Sequence, residues 1–595
     1  MRKVMPSSLY RAAVTSFFLA TAAVAQTAAE GSIQLVGVAA YPTATSASLV
    51  AAPQTLDDHV RAIPLPNPKA ALAKTSTAAP VPLTNPDPAP RAVVRPGDDF
   101  TGFAALTHVD SFASNGNQFS MEPPDQGLAV GNGYVFEAVN SVVAVYSKSG
   151  GLQAPPAAIN AFFGLAPVIV NSTPPVFGPD VLDPRVYYDA QIQRWFLTVT
   201  ELDVDSATGA PTGQSHLLLA VSQTANPVGS YFVYSINSTN DGTHGTPSHP
   251  GCPCFGDQPL NGADANGFYI TTDEFSLSGL SFNGAQIYAT SKQALAAGAP
   301  GVLVTFSNIP LAEGIAYALQ PARSLHFNSP SVEYFLSALD FFGTLDNRIA
   351  LWAITNTDTL SKPHPNLKLL NRVLTSETYG TPVVGAVQPP GPTPLRDFLA
   401  TLGDVEPEET LNPNDDRMNQ VVYENGLLWS GVNTVVGGTA TPVRNGIAFF
   451  VVAPAVSGSN LSGVIVQQGY VAAPGQDSVL YPSIGVNEES AAMTFTLVGP
   501  TASRTGAAYF PSMAFTRLTR VGGASDIHLG GAGAAPEDGF TGYVAFGGNG
   551  VARWGDYSAA TADIDGSIWM AAEWIPGTPR TTLANWGTFI GRLSD

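Results

Sequence analysis

Two stretches of this chain, about 300 residues apart, can be laid one upon the other. FGDQPLNGADANGFYITTDEF (255–275) and WGDYSAATADIDGSIWMAAEW (554–574) have equal length. They share Gly256/Gly555, Asp257/Asp556, Ala263/Ala562, Asp264/Asp563, Gly267/Gly566 and Glu274/Glu573. A reduced form of the pattern recurs along the chain: a turn residue, a run of aromatic and β-branched residues, then a polar residue seven positions after the turn. It ends at Asn140, Glu201, Glu274, Asp340, Asn433 and Glu573, with an apolar copy at Leu497. The copies lie about 72 residues apart on average. Self-similarity at this period, in units of short strands, predicts propeller blades. The expected fold is all-β: a seven-bladed β-propeller over residues 98–595, with six blades or a pair of β-sandwiches as alternatives. Asn132-Gly133, Asn266-Gly267, Asn425-Gly426 and Asp565-Gly566 are hairpin signals between the first two strands of a blade. The tail Trp586–Arg592 is expected to close the ring against a strand from Phe103–Phe112.

That topology places side chains. The turn between inner and second strand defines one face of a blade. The start of the inner strand and the end of the second strand therefore lie at the opposite mouth. Second strands bring Asn140, Glu201, Glu274, Asp340, Asn433 and Glu573 there. Inner strands bring Asp125, Asp183, Arg185, Asp257, Arg323, Asp416, Arg417, Arg553 and Asp556. The plain reading is structural, because Asp and Asn at strand ends satisfy local backbone groups or latch neighbouring blades. As a set, however, like charges near an axis are costly unless arginine, metal or ligand balances them.

Bulk properties narrow the partners. The 595-residue chain carries net charge −20 with 12% charged residues, which disfavours nucleic acid and anionic membranes. Arg2, Lys3 and Arg11 precede an apolar run to Ala25, read as a signal peptide over 1–25. No segment is read as a membrane span. Residues 26–97 are Ala/Pro/Thr/Ser-rich and are expected to be a disordered leader. A secreted or periplasmic monomer follows. The two cysteines, in Cys252-Pro253-Cys254, do not form a disulfide framework. A bridge two positions apart would be strained and easily reduced. With His244 and His249 just upstream, a four-ligand metal site is conceivable; a surface loop with two thiols, bridged or free, is the simpler reading.

Three chemistries suit an acidic, arginine-bearing mouth. In a glycan-directed enzyme of glycoside hydrolase type, two carboxylates act as acid and base or nucleophile. The catalytic candidates are Glu274, Glu573, Asp257, Asp556, Glu201 and Tyr557. Arg185, Arg323, Arg417, Arg553, Asp125, Asp340 and Trp554 are the ligand-binding candidates. Alternatively the carboxylates hold Ca²⁺, the one candidate cofactor, although Asp563-Ile564-Asp565-Gly566-Ser567 reads mainly as a turn. In the third reading the propeller is a non-catalytic platform for a protein or polysaccharide. No P-loop, dinucleotide fingerprint or zinc-protease helix is present.

The segments PPDQGLAVG, DPRVYYDAQIQRWFLTVTE, CPCFGDQPLNGADANGFYITTDEF, DDRMNQVVYENG and RWGDYSAATADIDGSIW resemble a group of secreted bacterial propeller proteins labelled sialidase-like. The resemblance covers most of residues 120–590 and implies a propeller and export, without a defined reaction. The sialidase Asp-box is not matched, since its Asp position here is Ile564.

Overall fold

The computed structural model describes residues 28–42, 59–62, 83–279, 281–327, 329, 331–340, 343–382, 385–500, 508–519 and 522–594. The segment read as a signal peptide lies outside them. The chain is built almost entirely of antiparallel meanders, each of which starts on an inner strand and steps outward. The inner strands are Gly127–Gly131, Asp180–Asp189, Cys254–Ala263, Gln320–Arg323, Val421–Glu424, Ser478–Val486 and Ala559–Ala562. Each packs against the next in that order, and Ala559–Ala562 packs back against Gly127–Gly131, so the inner strands close a ring. No helix among the described residues is long and apolar enough to cross a membrane.

Neighbouring meanders pack face to face, which explains why both faces of the inner strands are apolar or tightly partnered. Every residue of Cys254–Ala263 and of its neighbour Gly267–Ser276 is buried. One continuous core joins Tyr269, Phe335, Trp352, Leu428 and Phe450, which come from three successive meanders. Aromatic and β-branched residues suit such pleated, two-sided surfaces.

The two ends of the chain meet. Gly587–Leu593 pairs antiparallel with Phe100–Thr107, so the last meander takes its outer strand from the N-terminal side. His108–Ser114, the second half of the segment expected to be that strand, is instead a helix with a Thr107 capping box. Of the expected leader, residues 26–27, 43–58 and 63–82 lie outside the described residues, and part of the rest is β-structure. Ala29–Ala40 is a strand whose first half pairs with Gly301–Phe306 and whose second half pairs with Ser230–Asn237. Val93–Val94 pairs with Ile527–His528. Composition averaged over 26–97 hid the short β-compatible runs SIQLVGV and AVV. The insertion around Gln388–Leu395 continues into a helix, Pro394–Leu402, and a strand, Thr410–Leu411, which pairs with Val551–Ala552.

Candidate functional site

The entry to the inner strands follows a repeated device. Asp125, Asp183, Gln258, Ala318, Tyr481 and Gly555 all adopt positive φ, between 43° and 68°, either shortly before an inner strand or in its first half. At Asp183, Gln258 and Tyr481 the ladder skips two residues, a bulge that re-aims the strand. A left-handed non-glycine residue costs on the order of 1–2 kcal/mol. Here a polar side chain of the preceding meander offsets it. Asn140 Oδ1 accepts the Asp183 N–H at 3.0 Å, Asn433 Oδ1 accepts the Tyr481 N–H at 2.7 Å, and Asp273 accepts the Ala318 N–H at 2.9 and 3.1 Å. Asn140 and Asn433 are therefore latches between meanders.

The bulges gather a compact acidic group. Carboxylate oxygens of Asp125, Asp183 and Asp556 lie within 4.8 Å of one another. Asp125 accepts from Asn140 Nδ2 at 2.6 Å and from the Asp556 N–H. Asp183 accepts the Gln258 N–H at 3.2 Å. Asp556 is held by Asn414 Nδ2 at 3.0 Å and by Arg553 at 3.3 Å. Asp257 lies close enough to Asp183 to raise its proton affinity and faces Asp273 across the ladder. Arg417 forks onto Asp415 at 2.7 and 2.9 Å. The Arg185 guanidinium lies 4.5 Å from the centre of the Tyr557 ring, and the Tyr557 hydroxyl has no hydrogen-bond partner among the described residues. All four aspartates are buried: Asp125 and Asp183 are 0% and 1% exposed, Asp556 5% and Asp257 8%.

Burial and mutual repulsion set the protonation of this group. Burial, then Asp556 and Asp183, push Asp125 well above the usual carboxylate range. Burial, then Asp257, does the same to Asp183. Burial and then Asp556 raise Asp257 to about 7, against the pull of Arg417. Burial acts to lower Arg553, but Asp556 and Asp125 outweigh it and hold the guanidinium charged. The site thus sets carboxyls with raised proton affinity, Asp125, Asp183 and Asp257, beside Asp556, which Arg553 contacts.

The other expected residues lie elsewhere. Glu274 neighbours Asp273 in the chain and therefore points to the opposite face of its sheet, where it meets His249, Asn240 and Asn283. Glu201 pairs with His216 at 3.0 Å, and Asp340 ties down Thr344 and Thr381. Arg323 is the last residue of its inner strand, not the first, and reaches Asn261 and the Leu128 carbonyl near the hairpin end of the ring. Trp554 is buried and donates to Thr496, so it has no free face for a sugar. Glu573 lies beside Asp125 but also senses Glu537 and Glu122; burial and then Asp125 raise it. Those partners belong to a second buried acidic group, Glu122, Glu409 and Glu537, which no spacing in the sequence announces. Asp273 sits one place from the repeat's polar end and was missed for that reason.

Calcium does not suit either acidic place the sequence offered. Both Asp125 oxygens already accept N–H groups, and Arg185, Arg417 and Arg553 supply the balancing charge around the cluster. Between Asp563 and Asp565 stands the Lys148 ammonium, 2.8 Å from Asp565.

No protein-family profile matches the chain, and no curated protein matches it. Among solved structures it is similar to a Trypanosoma rangeli sialidase in complex with sialic acid. The identity is 9%, the TM-score 0.33, and the match covers 84% of this chain and 60% of the sialidase. It is also similar to a family GH43 β-1,3-galactosidase (11% identity, TM-score 0.26, covering 58% of this chain and 95% of that one). A third is an α-L-arabinofuranosidase of Fusarium graminearum, at 9% identity and TM-score 0.26, covering 69% and 92%. At these scores the likeness lends the site no function, and the chemistry rests on the residues themselves.

Proposed function

We propose that this chain is an exported seven-bladed propeller that hydrolyses a glycosidic bond at the aspartate group in the mouth of the ring. The inner strands and their closed order of contacts support the blade reading. The observation that carries the chemistry is the close grouping of Asp125, Asp183 and Asp556, with Arg553 on Asp556 and Asp257 beside Asp183. Asp257, the most exposed of the four aspartates, donates the proton to the leaving oxygen. Asp556, held by Arg553 and Asn414, faces the developing oxocarbenium charge; water then bonds to the anomeric carbon and returns a proton to Asp257. Arg185 and Tyr557 position the sugar. The test is a panel of acidic and neutral polysaccharides scored for new reducing ends, with Asp257→Asn and Asp556→Asn beside the wild type. A loss of at least about 100-fold in both variants, with unchanged unfolding midpoints, is expected. Turnover that survives Asp257→Asn overturns the assignment.

A binding platform is the second reading. Asn140, Asn433 and Asp273 are spent on latches and Asp125 is sealed, which favours it. Polysaccharide binding that persists in both variants, without turnover by the wild type, would select it.

A further inference from the structure

The Cys252–Cys254 disulfide lies against a set of groups that the aspartate site does not use. His249 Nδ1 is 2.9 and 3.0 Å from the two oxygens of Glu274. Cys252 Sγ is 3.8 Å from Glu274 Oε1. A nitrogen of His249, the sulfur of Cys252 and an oxygen of Glu274 all fall within 4.8 Å of one another. Asn283 Nδ2 bridges the group, at 3.7 Å from Cys252 Sγ, 3.5 Å from Cys254 Sγ and 2.9 Å from Glu274 Oε1. Glu274 is 1% exposed and the His249 side chain 8%. The strand Ala29–Ala40 and the loop 240–249 enclose a cleft of about 540 Å³, whose wall includes His249, His244, Asn240 and Glu30. The group is therefore nearly buried yet reachable from solvent.

We propose that reduction of this disulfide converts the group into a zinc site with His249, Cys252, Cys254 and Glu274 as ligands. One imidazole, two thiolates and one carboxylate are a donor set suited to four-coordinate Zn²⁺. While the sulfurs are bonded to each other, neither is a thiolate and the set is incomplete. Two equivalents of a small thiol, or one dithiol, deliver two electrons and two protons. The S–S bond breaks, two Cys–SH groups form, and the reductant leaves as its own disulfide. Zinc binding then releases the two thiol protons to solvent. Glu274 and His249 already face one another, and Asn240 and Asn283 fix the carboxylate, so the oxygen and nitrogen ligands are pre-oriented. Asn283 Nδ2 is placed to donate to the thiolates. This site lies on the opposite face of its sheet from Asp257, so its fate does not depend on the glycan reading.

The full chain is incubated with Zn²⁺, with and without a phosphine reductant, then desalted and assayed for zinc and for free thiols. One zinc per chain is expected in the reduced sample and none in the oxidised one. Cobalt in place of zinc is expected to give the thiolate charge-transfer band. His249→Ala and Cys252→Ser are expected to weaken retention more than about tenfold. Alkylating the reduced wild type tests the same sulfurs without a substitution, and the alkylated chain is expected to lose the metal. Reduced protein that retains no zinc overturns the proposal. So does zinc retained equally by oxidised, alkylated or His249→Ala protein.

Discussion

At the scale of single residues, the balance of burial against pairing decides what each charge can do. Lys292 and Asp189 show it most simply: both side chains are fully buried and 2.7 Å apart. Asp189 also accepts the N–H groups of Gln191 and Ile192, so it orders the turn that follows its strand. Burial lowers the lysine's proton affinity, and the aspartate beside it opposes that. Removing the cation leaves a carboxylate with no counter-charge in the interior. Lys292→Met is expected to cost about 3–5 kcal/mol in denaturant unfolding. Lys292→Met with Asp189→Asn is expected to recover much of that loss, because the uncompensated charge is gone. A double variant no more stable than the single one would show that the pair acts through geometry instead of charge. The same logic separates Asp257 from Glu274. Both are buried acids at the ends of paired strands, but one sits among like charges and the other among amide and imidazole donors.

Elements explain which parts of the fold could be read in advance. The meanders were legible because β-branched and aromatic runs alternate with turn residues at a steady period, and because Asn-Gly pairs mark hairpins. Asn132-Gly133 and Asn425-Gly426 do take positive φ at both positions. The site was legible only in part. A one-residue shift along a strand moves a side chain to the other face, and the repeat gave no register fine enough to choose Asp273 over Glu274. The bulges at Asp183, Gln258 and Tyr481 depend on partners a whole meander away, so no local pattern encodes them. The strand Ala29–Ala40 was lost because it borrows its stability from edges it covers. Only Ile33 of that strand is fully buried; nearly all the rest is exposed. Ile33→Asp is therefore expected to release the strand and uncover the edges of Gly301–Phe306 and Ser230–Asn237. Hydrogen exchange would then rise at the amides of those two strands that donate to Ala29–Ala40 while the inner strands stay protected. Unchanged exchange at those amides would mean that backbone pairing alone holds the strand.

For the molecule as a whole, the acidic groups inside the ring make stability depend on pH in an uncommon direction. Burial raises Glu137 to about 7, Asp257 and Glu537 to about 7, and Asp273 to about 6. Each of these carboxyls is protonated in the folded protein at a pH where the unfolded chain, near pH 4, has already lost the proton. Folding therefore takes up protons across that window. The stability these groups permit is complete below about pH 4 and is lost as pH rises towards 7. One such carboxyl forfeits on the order of 3 kcal/mol over the window, a large part of a typical domain's margin. Acids of the opposite kind are few and exposed: Asp565, lowered to about 2 by Lys148 against the effect of burial, loses its contribution only below pH 4. The denaturation midpoint at fixed ionic strength is thus expected to fall steadily between pH 5 and pH 8. Glu137→Gln separates this account from a general effect of net charge. It removes one titrating group from the buried place between Leu106 and Tyr146 and leaves the surface charge unchanged. The variant's midpoint is expected to decline less steeply above pH 5, and by pH 8 the variant should equal or exceed the wild type. A wild-type midpoint that climbs over that range, or a variant whose slope matches it, would mean the interior carboxyls are ionised and balanced by charges other than the arginines described.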